Sequence, residues 1–525
     1  MLKINSLLKS ILANDYSKIV LLTLLISFIL FPVSDSINFY QNDDWIYYKA
    51  ISQFLIGNYE VPRYIEALFY TQGFLGTVYA AFFGLEKLPV LTFIFSMMTF
   101  FIFQIIVRMF YIKSFIESTI FSLFLFVSPL FIYSSLGFMS DIYFLFFLII
   151  GVFFYEIFNR TGKWYFFFLF NLFMIIGFFT RQLSIVSGIA FALILFIQKK
   201  YKLAIFQMLS NITLLLSYFY LIPKTSTMER EGELYYFNLL NFDHTFSITY
   251  AGLVYSIAFI APLTILLVSK VLNIYAANLK FKILFLLSII LVFFSFNFLF
   301  NPEITSNKNM YYFKNTLDRN GFFFGSLLGN KYHFFYSDQI YFYFELISKI
   351  TLSVFITGVL FLLRNSLNFY SLFSIIYLGF MVVLPGGVYD RYYLVMIPIT
   401  ILFILNLSTN FNKITKLVSV ISLFVIAIYT YNFAMDFVLV HNYIWKSARN
   451  IVNIRNVNPK TISAGNAWNR TYQNEKLDYR YIFSFEPREV NPKIKCCYEI
   501  YFKYEVNYPL NFFEKPVVYF YRKIN

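Results

Sequence analysis

Charge, cysteine and histidine are scarce in this chain. Charged residues fill 13% of its 525 positions, against about a quarter in soluble domains, and that shortage excludes a soluble enzyme or a disordered tail. The two cysteines are neighbours, Cys496 and Cys497, which rules out a disulfide framework. Three histidines and no CxxC pair leave no structural zinc site to read. No internal repeat of the transporter kind is visible. No cleavable signal peptide is apparent either, and the first apolar run, Ile19–Val33, reads as a retained span.

Apolar residues dominate instead, at 59%, with a mean hydropathy of +0.66. They fall in runs long enough to cross a bilayer, about 20 residues each. The 72 Phe and 44 Tyr, alongside abundant Lys, Asn and Ile, read as the mark of an AT-rich genome rather than as an aromatic binding surface. A net charge of +15 would suggest nucleic acid in a soluble protein. Here positively charged cytoplasmic loops account for it, and no nucleic-acid partner is expected.

Run lengths predict an all-α polytopic membrane protein with about 13 transmembrane helices. Their approximate ranges are 18–36, 88–110, 115–134, 141–158, 164–180, 183–198, 203–222, 251–269, 283–300, 346–363, 369–385, 392–407 and 417–435. With the N-terminus placed inside, inside connections carry Lys18, Lys113, Arg160, Lys199, Lys200, Lys270, Lys280, Arg364, Lys413 and Lys416, with few acids. Outside connections are longer and mixed in sign. The pattern obeys the positive-inside rule and places a multi-pass protein in the plasma (inner) membrane with its N-terminus in the cytoplasm. Residues 1–435 form the transmembrane domain, with a first outside loop at about 37–87. Residues 436–525 are polar, proline-bearing and strand-like in places, such as Val517–Tyr521. They are expected to form a small extracytoplasmic segment of mixed α/β character. Its vicinal cysteines would be oxidised to each other there, or stay free or intermolecular.

Four constellations carry chemistry, and the charge-derived topology puts all of them on the outside. The first follows the first span: Gln41-Asn42-Asp43-Asp44-Trp45. It either caps a helix over Trp45–Leu55 or sets a carboxylate base just above the bilayer, where a lipid-linked substrate presents its head group. The second is Met139-Ser140-Asp141 before the apolar run Ile142–Phe154. It is a cap, or a carboxylate kept near the membrane for function. The third is Phe179-Thr180-Arg181-Gln182. Arg181 departs from the positive-inside trend, so it either snorkels or seeks an anion, a carboxylate such as Asp141 or a phosphate. The fourth is Pro385-Gly386-Gly387-Val388-Tyr389-Asp390-Arg391-Tyr392-Tyr393, a tight turn whose Arg391 pairs Asp390 or holds phosphate. The loops 223–250 and 301–345, with His244, Lys308, Lys314, Lys331 and His333, could close over a substrate.

In their order along residues 18–410, these features resemble the polyprenol-phosphate-sugar-dependent C-type (GT-C) glycosyltransferases. The group is that of protein mannosyltransferases and aminoarabinose transferases, glycosyltransferase family 39-like. The resemblance implies a GT-C fold with amphipathic outside-loop helices and an enzyme that moves a hexosyl or pentosyl group from a polyprenyl-phosphate sugar. The acceptor is a glycan, a lipid or a protein. It implies Asp43 as catalytic base and Asp44 and Asp141 as further catalytic carboxylates; the second acid is often Glu in that family and is Asp44 here. Arg181, Gln182 and Arg391 would hold the donor phosphate. No cofactor is required by that branch, although Asp43, Asp44 and Asp141 together would suit a hard divalent cation. Two competing readings are an O-antigen-type polymerase or ligase, which would put its chemistry in 301–345, and a lipid-linked sugar transporter, which would need charged groups near the midplane.

Overall fold

The structure is a computed structural model that describes residues 15–62, 65, 68–221, 240–275, 278–299, 316–318, 321–324, 338–362, 367–384, 388–408, 411–472, 479–490, 492–513 and 515–524. The first half is built from α1 (Asp15–Asp35), α2 (Asp44–Leu55), α3 (Tyr70–Phe83), α4 (Leu88–Ile106), α5 (Phe115–Phe126), α6 (Pro129–Ser135), α7 (Ser140–Thr161), α8 (Trp164–Phe178), α9 (Ile185–Ile197) and α10 (Tyr201–Leu216). The second half holds α11 (Phe242–Ala258), α12 (Ile265–Ile274), α13 (Leu279–Leu299), α14 (Asp338–Phe361), α15 (Phe369–Val383), α16 (Met396–Leu407) and the long α17 (Lys413–Arg455).

Among the described residues, seven helical stretches are long and apolar enough to cross a membrane, two more are bent pairs, and four are shorter apolar helices. Each of the apolar runs read from the sequence falls on one of these. The bends have local causes. Pro129 opens α6 after α5 and the chain turns by 66°. Pro262 sits in a 3-10 turn between α11 and α12, which meet at 90°. A proline cannot donate the backbone hydrogen bond that would continue the helix before it. Caps fix other ends: Asn412 accepts from Thr415 N at 2.8 Å to start α17, and Gly162, at φ 67°, stops α7.

α7 is the central helix. Of its 22 residues, 15 are buried, and it packs on α4 and α8. α1 and α13 instead expose most of their apolar surface, as lipid-facing helices do.

Beyond residue 435 the chain does not leave its helix. α17 continues to Arg455, with Phe437, Val440, Ile444, Ala448 and Ile451 buried along one side. Only then does a small mixed sheet follow, with β3 (Ile462–Ser463), β4 (Tyr481–Ser484), β5 (Tyr498–Glu505) and β6 (Val517–Lys523) in the order β3-β4-β6-β5, where β1 is Leu317–Asp318 and β2 is Gly321–Phe322. β3 and β4 run parallel and the other pairs antiparallel. Two short helices, α18 (Asn466–Thr471) and α19 (Pro492–Lys495), complete it. Cys496 and Cys497 are joined to each other. An aromatic chain ties this sheet to the first loop: Trp468 packs on Trp445, Trp445 on Tyr40, and Tyr40 on Tyr48 at 4.3 Å between ring centres.

Candidate active site

The first loop is held from two sides before it delivers its acids. Asn38 N donates to Asn442 Oδ1 of α17 at 3.0 Å. Gln41 Nε2 donates to the Tyr133 carbonyl of α6 at 2.9 Å. Asn42 then takes a left-handed turn, φ 43°, a region in which asparagine is tolerated. The turn points the next two carboxylates in different directions.

Asp44 turns inward. Its Oδ2 accepts from Phe138 N at 2.8 Å and from Gln41 N at 3.3 Å, so it latches the first loop to the segment that leads into α7. Gly137 is required there, because a Cβ would collide with Gln41 Oε1 and Asp44 Oδ2. Burial pushes the Asp44 carboxyl up to about 8, although the two backbone N–H groups pull the other way. Asp43 turns outward and keeps 43% of its side chain exposed. It precedes α2 but makes no side-chain cap bond. The capping reading of this pair is therefore not what the structure shows.

Asp43 meets Arg391, which in turn neighbours Asp141 and through it Arg181, brought together from widely separated parts of the chain. Arg391 Nη2 lies 3.5 Å from Asp43 Oδ2. Arg391 Nε lies 4.0 Å from Asp141 Oδ2. Arg181 Nη1 contacts Asp141 Oδ1 at 3.0 Å, and Arg181 Nε donates to Ser140 Oγ at 2.9 Å. The Tyr392 ring lies beside both guanidinium groups, at 4.8 Å from Arg181 and 5.7 Å from Arg391, and Tyr389 flanks Arg391. Asp141 and both arginines are buried.

The cluster is incompletely bonded. Arg391 Nε and Asp141 Oδ2 are buried and neither has a hydrogen-bond partner among the described residues, and 4.0 Å is too long for them to satisfy each other. Buried charged donors and acceptors are ordinarily saturated. Two guanidinium groups beside a solvent-reachable carboxylate can bind an anion and take a proton in one place.

The structure thus joins Asp43, Asp141, Arg181 and Arg391. Arg181 has found the carboxylate partner that its position called for. Arg391 has not paired with the Asp390 carboxylate, as one sequence reading expected. Asp390 accepts from Leu317 N and from the Arg391 backbone N, both at 2.8 Å, and so anchors β1 instead. Gln182 starts a short 3-10 turn after Arg181 and is half-buried, with no bond to the cluster among the described residues. Asp44 is spent on backbone and Asp141 on Arg181. Among the described residues no three His, Cys, Asp or Glu side chains converge as metal ligands. His244 caps no ligand; it bonds the Val382 carbonyl. Pro385, Gly386, Gly387, Lys308, Lys314, Lys331 and His333 lie outside the described residues. Sequence reasoning passed over Ser140, Tyr389 and Tyr392, although all three stand inside motifs it had singled out.

No protein-family model and no curated protein matches the chain in sequence. Among solved structures, the crystal structure of ArnT from Cupriavidus metallidurans bound to undecaprenyl phosphate is similar at 11% identity. That likeness covers 87% of this chain and 74% of that one, with a TM-score of 0.39.

Proposed function

We propose that this chain is an inverting glycosyltransferase of the GT-C type. It moves a sugar from a polyprenyl-phosphate donor to a glycan, glycolipid or protein acceptor at the outer face of the plasma membrane. One observation carries the reading: four charged side chains from α7 and three loops meet at one end of an apolar helical body, with a buried arginine donor left unbonded. A donor whose tail lies in the bilayer would present its phosphate at that end. The excess of basic residues in the alternate connections supports placing the site outside.

In this mechanism the acceptor hydroxyl oxygen attacks the anomeric carbon while the bond from that carbon to the phosphate oxygen breaks. Asp43 takes the hydroxyl proton. One base and one displacement invert the configuration, and no general acid is needed because polyprenyl phosphate leaves readily. Arg181 and Arg391 stabilise the charge that grows on the departing phosphate, with Gln182 beside it. Asp141 holds the two arginines at their spacing. Asp44 holds the loop that carries Asp43. No step calls on a cofactor or a metal.

The test is transfer from a labelled polyprenyl-phosphate sugar in membranes, with wild type and Asp43→Asn at matched expression. Loss of a general base reduces rate by about 10²–10⁴. Wild-type turnover in Asp43→Asn removes the base from the proposal. No transfer from any monosaccharide donor removes the reaction class.

A further inference from the structure

The loop between β5 and β6 lies outside the spans and packs against α17. It is fastened to α17 by four contacts. Tyr431 Oη donates to the Pro509 carbonyl at 3.0 Å. Tyr508 Oη donates to Asn432 Oδ1 at 3.2 Å, and Phe512 N donates to the same oxygen at 3.3 Å. Phe513 packs on Tyr429 at 5.0 Å between ring centres. Held this tightly, the loop still turns two large apolar side chains away from the protein: Leu510 is 67% exposed and Phe512 61%. Leu510 does so at φ 58°. A non-glycine residue in that region is strained, and such strain persists where surrounding contacts or function impose it.

The place of attachment says what covers these side chains. In the first half of α17 the exposed apolar residues are Ile414, Leu417, Val420, Ile421, Phe424 and Val425, which recur at helical spacing as one lipid-facing stripe. Continued by the same spacing, the stripe passes through 428–429 and 432, where the loop docks. At 1.5 Å per residue, Asn432 is about 10 Å along the axis from Val425. Leu510 and Phe512 therefore stand beside the upward continuation of the lipid stripe, among Tyr429 and Tyr431, at the level where aromatic side chains mark a bilayer boundary. We infer that Leu510 and Phe512 insert into the lipid leaflet beside α17 and seat the C-terminal sheet on the membrane surface. A protein partner would need a patch that stops at the lipid boundary, whereas lipid is continuous with the stripe below.

The test uses the full chain in nanodiscs, with the emission of the four native tryptophans subtracted. Phe512→Trp is compared with Ile454→Trp, which is exposed and lies about 33 Å further along α17 than Asn432. Lipids brominated near the top of their acyl chains are expected to remove about half or more of the Phe512→Trp emission, and aqueous iodide little of it. Ile454→Trp should respond the other way round. Equal iodide quenching of both, with no response to brominated lipid, overturns the inference. Protection of Phe512→Trp from both quenchers, with two chains per disc, also overturns it and assigns the surface to a second copy.

Discussion

α7 carries one buried carboxylate near each end, and the two are bonded in opposite ways. At the lower end Glu156 is saturated. Its Oε1 accepts from the Tyr111 and Tyr370 hydroxyls, each at 2.5 Å, and its Oε2 accepts from Arg160 Nε at 3.2 Å. Arg160 in turn donates to the Phe110 carbonyl and lies over that ring. The group locks the end of α4, α7 and α15 together. At the upper end Asp141 holds Arg181, but among the described residues its Oδ2 accepts no hydrogen bond and only faces, at 4.0 Å, an Arg391 Nε that donates none. The helix, the environment and the residue chemistry are alike. What differs is saturation. A carboxylate with both oxygens hydrogen-bonded holds structure, and one with an oxygen left short beside a cation has capacity for a ligand.

Exchanging charge for amide at both ends tests that contrast most directly. Asp141→Asn should reduce sugar transfer by about 10²–10³, because the arginines lose the charge that spaces them against the developing phosphate. Glu156→Gln should leave transfer within a few-fold of wild type. If Glu156→Gln abolishes transfer at full expression while Asp141→Asn does not, saturation is the wrong criterion.

The next effect is on stability and should appear only below. Glu156→Ala removes the acceptor shared by two buried tyrosine hydroxyls and is expected to cost about 1–3 kcal/mol. The Tyr111–Tyr370 contact at 3.0 Å keeps the loss from doubling. Thermal unfolding in detergent measures it, with transfer per folded molecule unchanged.

Much of the fold was legible in the sequence, and the limits of that reading are physical. Apolar run length located the membrane helices because a bilayer fixes a minimum length. An arginine against the charge trend marked Arg181, and its partner followed. The end of α17 was misplaced because residues 436–455 were grouped with the polar, proline-bearing stretch that follows them. The periodic Phe437, Val440, Ile444, Ala448 and Ile451 carried the helical signal that composition hid. Asp390 beside Arg391 looked like a pair, yet adjacent side chains in a 3-10 turn point apart, and Asp390 reaches Leu317. The pair Asp43-Asp44 could not be divided by spacing, since the division depends on the backbone turn at Asn42.

That division repeats the contrast within two residues and yields the smallest effect. Asp44 accepts two backbone N–H groups, yet its Oδ1 is buried without a partner. Burial holds its carboxyl in the neutral form up to about pH 8, from an ordinary value of 3.8. The folded chain therefore keeps a proton that the unfolded chain releases near pH 4. Wherever the folded state binds more protons, stability falls as pH rises. The contribution of Asp44 is fully present below about pH 4, declines through about pH 8 and is flat above it. Asp44→Asn keeps the acceptor and never ionises, so its unfolding temperature should lie near wild type at pH 5 and above it at pH 8.5. Asp44→Ala should be less stable at both, by about 1–3 kcal/mol, because the Phe138 and Gln41 N–H groups lose their acceptor. An Asp44→Asn protein with the same pH slope as wild type would show that Asp44 is ionised when folded, and the two neighbouring acids would then differ in direction but not in charge.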